Sequence, residues 1–473
     1  MLSNTQLSSN GLGVTMLPLV RLSRSPSPSP RRQSESNSRS ETDDDDEWGM
    51  GVRTRKDHGW KSWIFEGGIG HFLFNTSIGW QFYTGLLILW LEGCQIGLIL
   101  MNRIILWSGY LLTGVYKFPY PLTTSLMELL ITHFFVLLSA NITRWFSPWL
   151  ISCGLSGGIA PSRPLKVSSP TKFRNGPTLL GSFMSWIKKK DVGIAGGGLF
   201  EFDLEIAKMV LPCAFIFVSK VCLSNLSFAY AQIQVYFLAR IAIVPLSMLF
   251  TYFLAHTSCS VATISSALTA TLTLLVAIFP ANVRVTLESI LAGIFSSIFV
   301  ALYPIQIERT YKALVSLVMT QGEYTSSSSS IRANDYSGSK EESRAYWRLL
   351  HYMSLLSILI FIPIVILSGE IKNIWRNCYI LDVFFHWLMV LCGGVGSWAV
   401  FWSTIALTRA TSPLTVAFLF IPRAVFLSPI MLGWHLPLHS WIGVVMCWAS
   451  SFWFLIAKRR ERKGFFRKDF ISH

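Results

Sequence analysis

The sequence predicts an all-α membrane protein with ten transmembrane helices, built as an inverted repeat of five plus five with both termini in the cytosol. Three observations favour this fold class. The chain is 52% hydrophobic and only 14% charged, whereas about 25% of the residues in a soluble domain are charged. It contains ten apolar runs of membrane-spanning length, and its basic residues cluster in a few segments. The 18 tryptophans also fit, because indole rings favour membrane interfaces.

The same composition argues against several other classes of protein. Most of the net charge of +15 lies in a few loops and the two tails, so it does not indicate nucleic-acid binding. The eight cysteines are scattered and form no Cys-x-x-Cys pair, so neither a disulfide framework nor a zinc site is predicted. The sequence shows no phosphate-binding loop and no paired catalytic carboxylates. We therefore expect no enzyme, no cofactor and no metal site.

Composition also divides the chain into four segments. Residues 1–79 form a polar leader that is predicted to be disordered and cytosolic, because its stretch rich in Ser, Pro and Asp cannot bury a core. Residues 80–280 and 281–457 are expected to be two five-helix halves. Residues 458–473 form a basic cytosolic tail. The apolar run after Met1 is too short for a cleavable signal peptide.

Hydropathy places ten spans of about 20 residues each along the chain. In order they are residues 82–108, 119–145, 205–227, 232–254, 260–280, 287–308, 348–368, 384–408, 412–433 and 438–457. Two connections are long. Residues 146–204 are rich in Gly, Pro and Ser, and residues 309–347 contain a run of serines, so both are predicted to be mobile loops.

The distribution of lysine and arginine predicts the orientation. Nine lie in the leader, seven in residues 146–204 and seven after Ala457, whereas the loops between spans three and four and between spans nine and ten carry none. With ten spans, the three basic segments fall on one side of the membrane. Basic segments remain in the cytosol, so both termini are predicted to be cytosolic.

Two of the spans carry a single arginine near the middle. Arg240 lies in the fourth span and Arg423 in the ninth, and each is followed within six residues by a proline, Pro245 or Pro429. An arginine in hydrocarbon costs roughly 3 kcal/mol, so each must face protein or a water-filled cavity. Five spans is an odd number, so a second half related to the first would enter the membrane inverted, with a substrate site near the midplane and alternating access. We interpret the two arginines as facing walls of one anion-binding cavity.

Several short motifs, taken in order, resemble the drug/metabolite transporter superfamily and, within it, the nucleotide-sugar and triose-phosphate transporters. The resemblance covers most of residues 98–457 and is closest to the GDP-fucose and GDP-mannose branch. It depends on Asn102-Arg103, Phe118 to Thr123 (FPYPLT), Leu211-Pro212, Asn225-Leu226-Ser227, Tyr236 to Arg240, Gly393-Gly394, and Thr411 to Thr415 (TSPLT).

Two positions depart from the family pattern. The Gly-x-x-Lys of the ninth span reads Phe420-Ile421-Pro422-Arg423 here, so the cation is kept and the glycine is replaced. The FYNN that opens the seventh span in GDP-mannose carriers is replaced by His351 to Ser354. These two elements read the guanine and the sugar in the family, so the departures concern the substrate rather than the fold.

The resemblance implies a carrier that exchanges a nucleotide sugar, GDP-linked by the closest match, for a nucleoside monophosphate by antiport. It further implies a multi-pass protein of the Golgi membrane, with the endoplasmic reticulum as an alternative. The expected partners are a small-molecule substrate and the lipid bilayer, and a homodimer stays open. Two alternatives also stay open: a triose-phosphate or other sugar-phosphate antiporter of the same family, and a non-transporting membrane scaffold.

The candidate substrate-binding residues begin with the two arginines, because a guanidinium can bind phosphate oxygens in a bidentate way. The alternative for each arginine is a structural pairing with a buried carboxylate or carbonyl. Tyr236 lies one turn before Arg240 and shares its helix face, where it could stack on a base or simply pack. Lys220 is a candidate third cation, and an ion pair with Glu128 is the alternative.

Three polar residues complete the candidate set. Asn225 lies inside the third span, where an amide commonly joins helices. Ser412 and Thr415 belong to the TSPLT motif and are included through the resemblance. Gly393 and Gly394 are expected to let two helices approach closely.

Overall fold

A computed structural model describes residues 68–75, 77–107, 120–161, 202–230, 233–257, 259–278, 287–322, 340–377, 384–431, 434 and 436–471. All of them belong to one compact unit, Trp60–His473. Within these residues every regular element is a helix, and ten helices are long and apolar enough to cross a membrane. Most of the predicted leader and the middle parts of both predicted loops lie outside the described residues.

Fifteen α-helices and one short 3-10 helix, Ser156–Gly158, make up the described chain. The α-helices are α1 (Gly68–Asn75), α2 (Ser77–Trp107), α3 (Pro121–Trp145), α4 (Ser147–Ser152), α5 (Leu204–Tyr230), α6 (Ile233–Ala239), α7 (Ile243–Ala255), α8 (Val261–Ile278), α9 (Leu287–Gly322), α10 (Lys340–Ser368), α11 (Glu370–Asn377), α12 (Phe384–Ala410), α13 (Pro413–Phe418), α14 (Phe420–Met431) and α15 (Leu438–Ile471).

The ten predicted spans are confirmed, with differences at their ends. The spans of the structure are Ile78–Arg103, Pro121–Trp145, Leu204–Ala229, Ile233–Ala255, Val261–Ile278, Ile290–Met319, Glu342–Ser368, His386–Ala410, Pro413–Ile430 and Leu438–Glu461. Helix α9 continues beyond the end predicted for the sixth span, so part of the second long loop is helical. Helices also begin inside the range predicted for the leader, at Gly68, and continue into the predicted basic tail, to Ile471.

The outer surface of the bundle is apolar. Large side chains are widely exposed on it, among them Leu89 (74% exposed), Leu272 (64%) and Phe452 (65%). A water-soluble protein rarely exposes contiguous apolar surface on this scale. Helices satisfy their own backbone hydrogen bonds, so such a surface can face lipid.

The helices of the two sequence halves are intermixed in the core. Helix α5 packs along α9, and α8 packs along α15, so each of these pairs joins one helix from each half. One apolar cluster is built from α3, α5, α9, α10 and α12, and a second from α6, α7, α8, α13, α14 and α15 with Phe228 of α5. Helices of both predicted halves therefore share the same packing contacts, and the division into halves stays a prediction. The inverted repeat and the cytosolic position of the termini stay predictions.

Both arginine-bearing spans are broken helices. The fourth span is interrupted between α6 and α7 at residues 240–242, and the ninth between α13 and α14 at Leu419. Proline cannot donate to the carbonyl four residues earlier, and its ring crowds that carbonyl. Pro245 and Pro422 each follow their break by three residues, so each removes the hydrogen bond that would bridge it. In the ninth span the proline at the break is thus Pro422, whereas Pro429 lies inside α14.

Polar side-chain contacts link helices near both ends of the bundle. At one end the Glu370 carboxylate accepts from the Thr123 backbone N–H (2.7 Å) and hydroxyl (2.8 Å), and so caps the start of α3. At the other end Arg409 of α12 pairs with Glu342 of α10 at 3.0 Å. Glu342 lies in the first turn of α10 and Glu370 begins α11, just after the other end of α10, and a helix of that length spans about 40 Å.

Substitution of Gly443 tests how closely α15 packs on α8. A Cβ built on Gly443 would lie 2.6 Å from the Ala277 backbone nitrogen, which cannot rotate away. We expect Gly443→Ala to lower the free energy of unfolding by about 1–3 kcal/mol through overpacking. The midpoint of thermal unfolding in detergent measures this. Gly97→Ala is the control, because a Cβ at Gly97 has nothing within 4 Å; an equal loss in both variants would contradict the packing.

Candidate anion-binding site

Arg240 lies at the break of the fourth span and is only 6% exposed. Its guanidinium donates to three hydroxyls: those of Ser224 on α5, Ser296 on α9 (2.6 Å) and Tyr236 one turn earlier. It also lies 4.4 Å from the centroid of the Tyr236 ring. Among the described residues, no carboxylate forms an ion pair with Arg240. Neutral acceptors satisfy the donors while the positive charge stays uncompensated.

One face of α9 builds the surroundings of this break. Gly293, Ser296 and Ser297 are spaced three and four residues apart, so they share one face of the helix. A Cβ on Gly293 would lie 2.4 Å from the Ala239 Cβ, so glycine is needed for the close approach. The Ser297 hydroxyl lies 3.3 Å from the Ala239 carbonyl oxygen. The same hydroxyl is closer to the Gly293 carbonyl oxygen (2.9 Å), so its one proton is shared between its own helix and the break.

Arg423 lies in α14, one turn after the break of the ninth span. Its Nη1 is 3.7 Å from the Glu92 carboxylate of α2, and the two side chains are only 14% and 16% exposed. A distance of 3.7 Å exceeds that of a hydrogen bond. Neither Glu92 oxygen nor the Arg423 Nε has a hydrogen-bond partner among the described residues. The structural alternative of a paired arginine therefore applies to Arg423, but in a loose form that leaves donors and acceptors unsatisfied.

Lys220 rests on aromatic rings. Its Nζ lies 4.3 Å from the ring centroid of Tyr303 and 5.7 Å from that of Phe217. The expected ion pair with Glu128 is not found among the described residues. Glu128 instead lies against Gly393 of α12, where a built Cβ would be 3.0 Å from its Oε1. Cation–π contact stabilises a buried ammonium without supplying a negative charge.

The three predicted cations belong to one electrostatic region. The charge of Arg423 acts on both Lys220 and Arg240, and that of Arg240 acts on Lys220. The two broken spans are also in direct contact, with the rings of Phe237 and Phe420 at 6.0 Å. Like charges gathered in a medium of low dielectric constant repel strongly and attract an anion. Two pockets open elsewhere on the described surface, beside α11 and between α8 and α15, and these cations line neither.

The other predicted site residues make local contacts. Asn225 donates to the Ser125 hydroxyl and so links α5 to α3. Ser412 caps α13: its side chain accepts from the Thr415 backbone N–H at 3.3 Å, and the two hydroxyls are 2.9 Å apart. These contacts are those of helix packing and capping. Substrate contact by Asn225, Ser412 and Thr415 stays a prediction.

Three residues at this site were missed in the sequence. Glu92 is an isolated carboxylate in an apolar run, and the rule that singled out the arginines applies equally to it. Ser224 and Ser296 carried no comparable signal, because serine is common where membrane helices pack. Only the geometry shows that they converge on Arg240.

Comparison with known proteins confirms the resemblance seen in the motifs. No model of a known protein family matches the chain. A protein of Dictyostelium discoideum named GDP-fucose transporter 1 is 24% identical over 267 residues, which cover 56% of this chain and 64% of that protein. A Caenorhabditis elegans protein named GDP-fucose transporter is 24% identical over 54% of this chain and 63% of its own length. A mouse protein named GDP-fucose transporter 1 is 23% identical over 46% of this chain and 52% of its own length. The chain thus matches less than two thirds of each of these relatives, which are named as transporters rather than enzymes.

The hydroxyl cage of Arg240 can be tested by substitution. Replacing Ser224 and Ser296 together by alanine leaves the buried guanidinium with the Tyr236 hydroxyl alone. We expect the free energy of unfolding to fall by about 2–4 kcal/mol, because each unsatisfied donor near a buried charge costs about 1–3 kcal/mol. Thermal unfolding in detergent measures it. Ser316→Ala, on an exposed part of the same helix, is the control; a double variant as stable as this control contradicts the proposed cage.

Proposed function

We propose that this chain is a carrier of the Golgi membrane that exchanges a GDP-linked sugar for the nucleoside monophosphate by alternating access. The observation that carries the proposal is that Arg240 (6% exposed) and Arg423 (14%) lie at or one turn from the breaks of two spans that are in contact through Phe237 and Phe420. The similarity to proteins named GDP-fucose transporters supports the choice of substrate class.

The arrangement suits a diphosphate. Arg423 has a buried Nε without a hydrogen-bond partner in the described residues, so it can turn its fork toward two phosphate oxygens. Arg240 is held rigidly by hydroxyls and contributes a fixed positive charge. Lys220 contributes a point charge whose ammonium is not tied to a carboxylate. The monophosphate that returns would occupy the same cations, which couples the two directions of transport.

Broken helices support a midplane site of this kind. Interrupted spans in transporters place backbone ends and charged groups at the depth where substrate binds. Here the breaks occur at matching positions of the fourth and ninth spans. In this proposal the cation site opens to one side at a time as the contacts near the two ends of the bundle, Glu370 with Thr123 and Arg409 with Glu342, separate in turn.

One observation favours a smaller substrate as the second candidate. Phe420 stands where nucleotide-sugar carriers of the GDP-mannose branch have glycine, and its ring is buried against Phe237. The added bulk reduces the space beside Arg423. A triose phosphate or another sugar phosphate needs the same cations and less room, so this antiporter is the alternative within the same class.

Exchange in liposomes decides between the two substrates. The purified chain is reconstituted in liposomes preloaded with GMP or with inorganic phosphate, and uptake of labelled GDP-fucose and of a labelled triose phosphate is followed. We expect GDP-fucose uptake that requires internal GMP. Uptake of the triose phosphate against internal phosphate, without GDP-fucose uptake, supports the alternative. Correctly folded protein that moves neither substrate contradicts the carrier proposal and leaves the membrane scaffold.

Substitution of Arg423 tests its role in substrate binding. A charge-assisted hydrogen bond contributes about 1.5–3 kcal/mol, so we expect Arg423→Ala to slow exchange about ten- to a hundredfold. Arg423→Lys should retain part of the activity, because it keeps the charge without the fork. The initial rate of GDP-fucose uptake measures both. Lys312→Ala is the control, because it removes one positive charge from an exposed pair with Glu308; similar losses in the control and in Arg423→Ala would refute a specific role.

A further inference from the structure

We infer that the groove between the start of α8 and α15 binds an anionic phospholipid, at the end of the bundle that carries the basic tail. The groove has a volume of about 250 Å³ and lies where the tenth span ends, at Glu461. None of the three cations of the candidate anion-binding site lines it. The inference therefore goes beyond the proposed exchange, and it holds or fails independently of that exchange.

The floor of this groove is apolar. It is formed by Ala262 of α8 and by Trp453, Ile456 and Ala457 of α15. Trp453 is 44% exposed, and tryptophan rings favour the boundary between the hydrocarbon and the headgroups of a bilayer. Such a floor suits the glycerol region and the first part of an acyl chain, because a water-soluble ligand would leave these apolar side chains uncovered.

The rim of the groove carries positive charge that is not paired. Arg460 lines the groove, Arg459 precedes it, and both are exposed. Among the residues that the structure describes, no carboxylate pairs with either arginine. The acidic residue of the rim, Glu461, already has partners, because it accepts from the Thr263 hydroxyl at 2.9 Å and pairs with Lys458 at 3.2 Å. A lipid phosphate can therefore bind Arg460 without displacing an existing partner.

The chain beyond the groove matches the charge of an anionic leaflet. Seven lysines and arginines but only two acidic residues follow Ala457, and α15 continues through all of them to Ile471. Clusters of about four to eight basic residues next to a transmembrane helix bind anionic lipid, and each residue contributes about a fivefold factor in affinity. The predicted orientation places this end in the cytosol, and the cytosolic leaflet is the one rich in anionic lipid. The tail thus attracts the leaflet, and the groove holds one lipid of it.

The test measures lipid binding by the purified full-length chain in detergent. Apparent dissociation constants come from the rise of the unfolding midpoint with added lipid, because only a ligand of the folded state raises it. Phosphatidylserine is compared with phosphatidylcholine of the same acyl chains, and with glycerophosphoserine, which has the same headgroup and no acyl chain. We expect phosphatidylserine to bind at least about tenfold more tightly than phosphatidylcholine, and glycerophosphoserine to give no shift.

Two results with the wild-type chain overturn the inference. Equal affinity for the two lipids would show that the headgroup is not selected. An equal shift with glycerophosphoserine would show that the arginines bind soluble anions and that the apolar floor contributes nothing.

Substitution at the rim tests the contribution of charge. Arg459→Gln combined with Arg460→Gln should weaken phosphatidylserine binding about tenfold or more and leave phosphatidylcholine binding unchanged. The matched control is Lys372→Gln combined with Arg376→Gln, which removes two charges from exposed side chains of α11. A similar loss in the control would show that only the net charge of the chain matters, and would contradict a site at the groove.

A further variant separates the groove from the tail. Ala262→Trp fills the groove and keeps every charge, and Ala262 is exposed, so the ring does not enter the packed interior. We expect phosphatidylserine affinity to fall at least about fivefold, because the lipid can no longer cover the apolar floor. Unchanged affinity would place the lipid on the tail alone and overturn the inference. The unfolding midpoint without lipid shows whether each variant is folded, and the wild-type comparison decides the question for any variant that is not.

Discussion

The burial of positive charge inside an apolar bundle is the constraint on which this structure depends. A cation in a medium of low dielectric constant needs either a counter-charge or a full set of neutral partners. Each of the three cations at the candidate site is stabilised by a different kind of partner. Hydroxyls surround Arg240, aromatic rings lie beneath Lys220, and a distant carboxylate faces Arg423. Only the last supplies negative charge, so the region as a whole remains positive.

The helix breaks and the cations belong to the same arrangement. A break frees backbone groups inside the bundle, and these need partners because hydrocarbon supplies none. At the fourth span one face of α9 lies against the break, where Gly293 allows close approach and the Ser297 hydroxyl lies 3.3 Å from the Ala239 carbonyl oxygen. The adjacent Ser296 on that face binds Arg240. The same face of α9 therefore packs against the break and supplies a hydrogen-bond acceptor for Arg240.

The number and order of the spans could be predicted from the sequence, because apolar runs of about 20 residues have few other uses. Hydropathy does not predict where α9 ends, because the helix continues to Gly322, beyond the predicted end of the span at residue 308. A hydropathy profile predicts which residues lie in the hydrocarbon core, whereas the helix itself can extend beyond that core. It also hides the breaks, because a window averages over one or two irregular residues. Pro422, inside the Phe420 to Arg423 motif, was the signal available for the ninth span.

The site was only partly predictable for a different reason. Charged residues in apolar runs are rare, and each one stands out in the sequence. The three cations could therefore be proposed, and Glu92 could have been. Their partners are serines, tyrosines and phenylalanines, which occur throughout such bundles and carry no individual signal. The pairing of Lys220 with Glu128 was wrong because two isolated charges in neighbouring spans need not lie at the same depth or face.

The prolines at the two breaks have a mechanical consequence. A missing backbone donor is a covalent property of the chain, so Pro245 and Pro422 leave one carbonyl without its helical partner in every helical conformation of these spans. Each span then consists of two helical segments joined at a kink, where one hydrogen bond of a regular helix is missing and neighbouring ones remain. Arg240 lies on one kink and Arg423 a single turn from the other. Any tilt of a half-helix relative to its neighbour must therefore carry a guanidinium with it, so movement of the scaffold and movement of the charge are the same event.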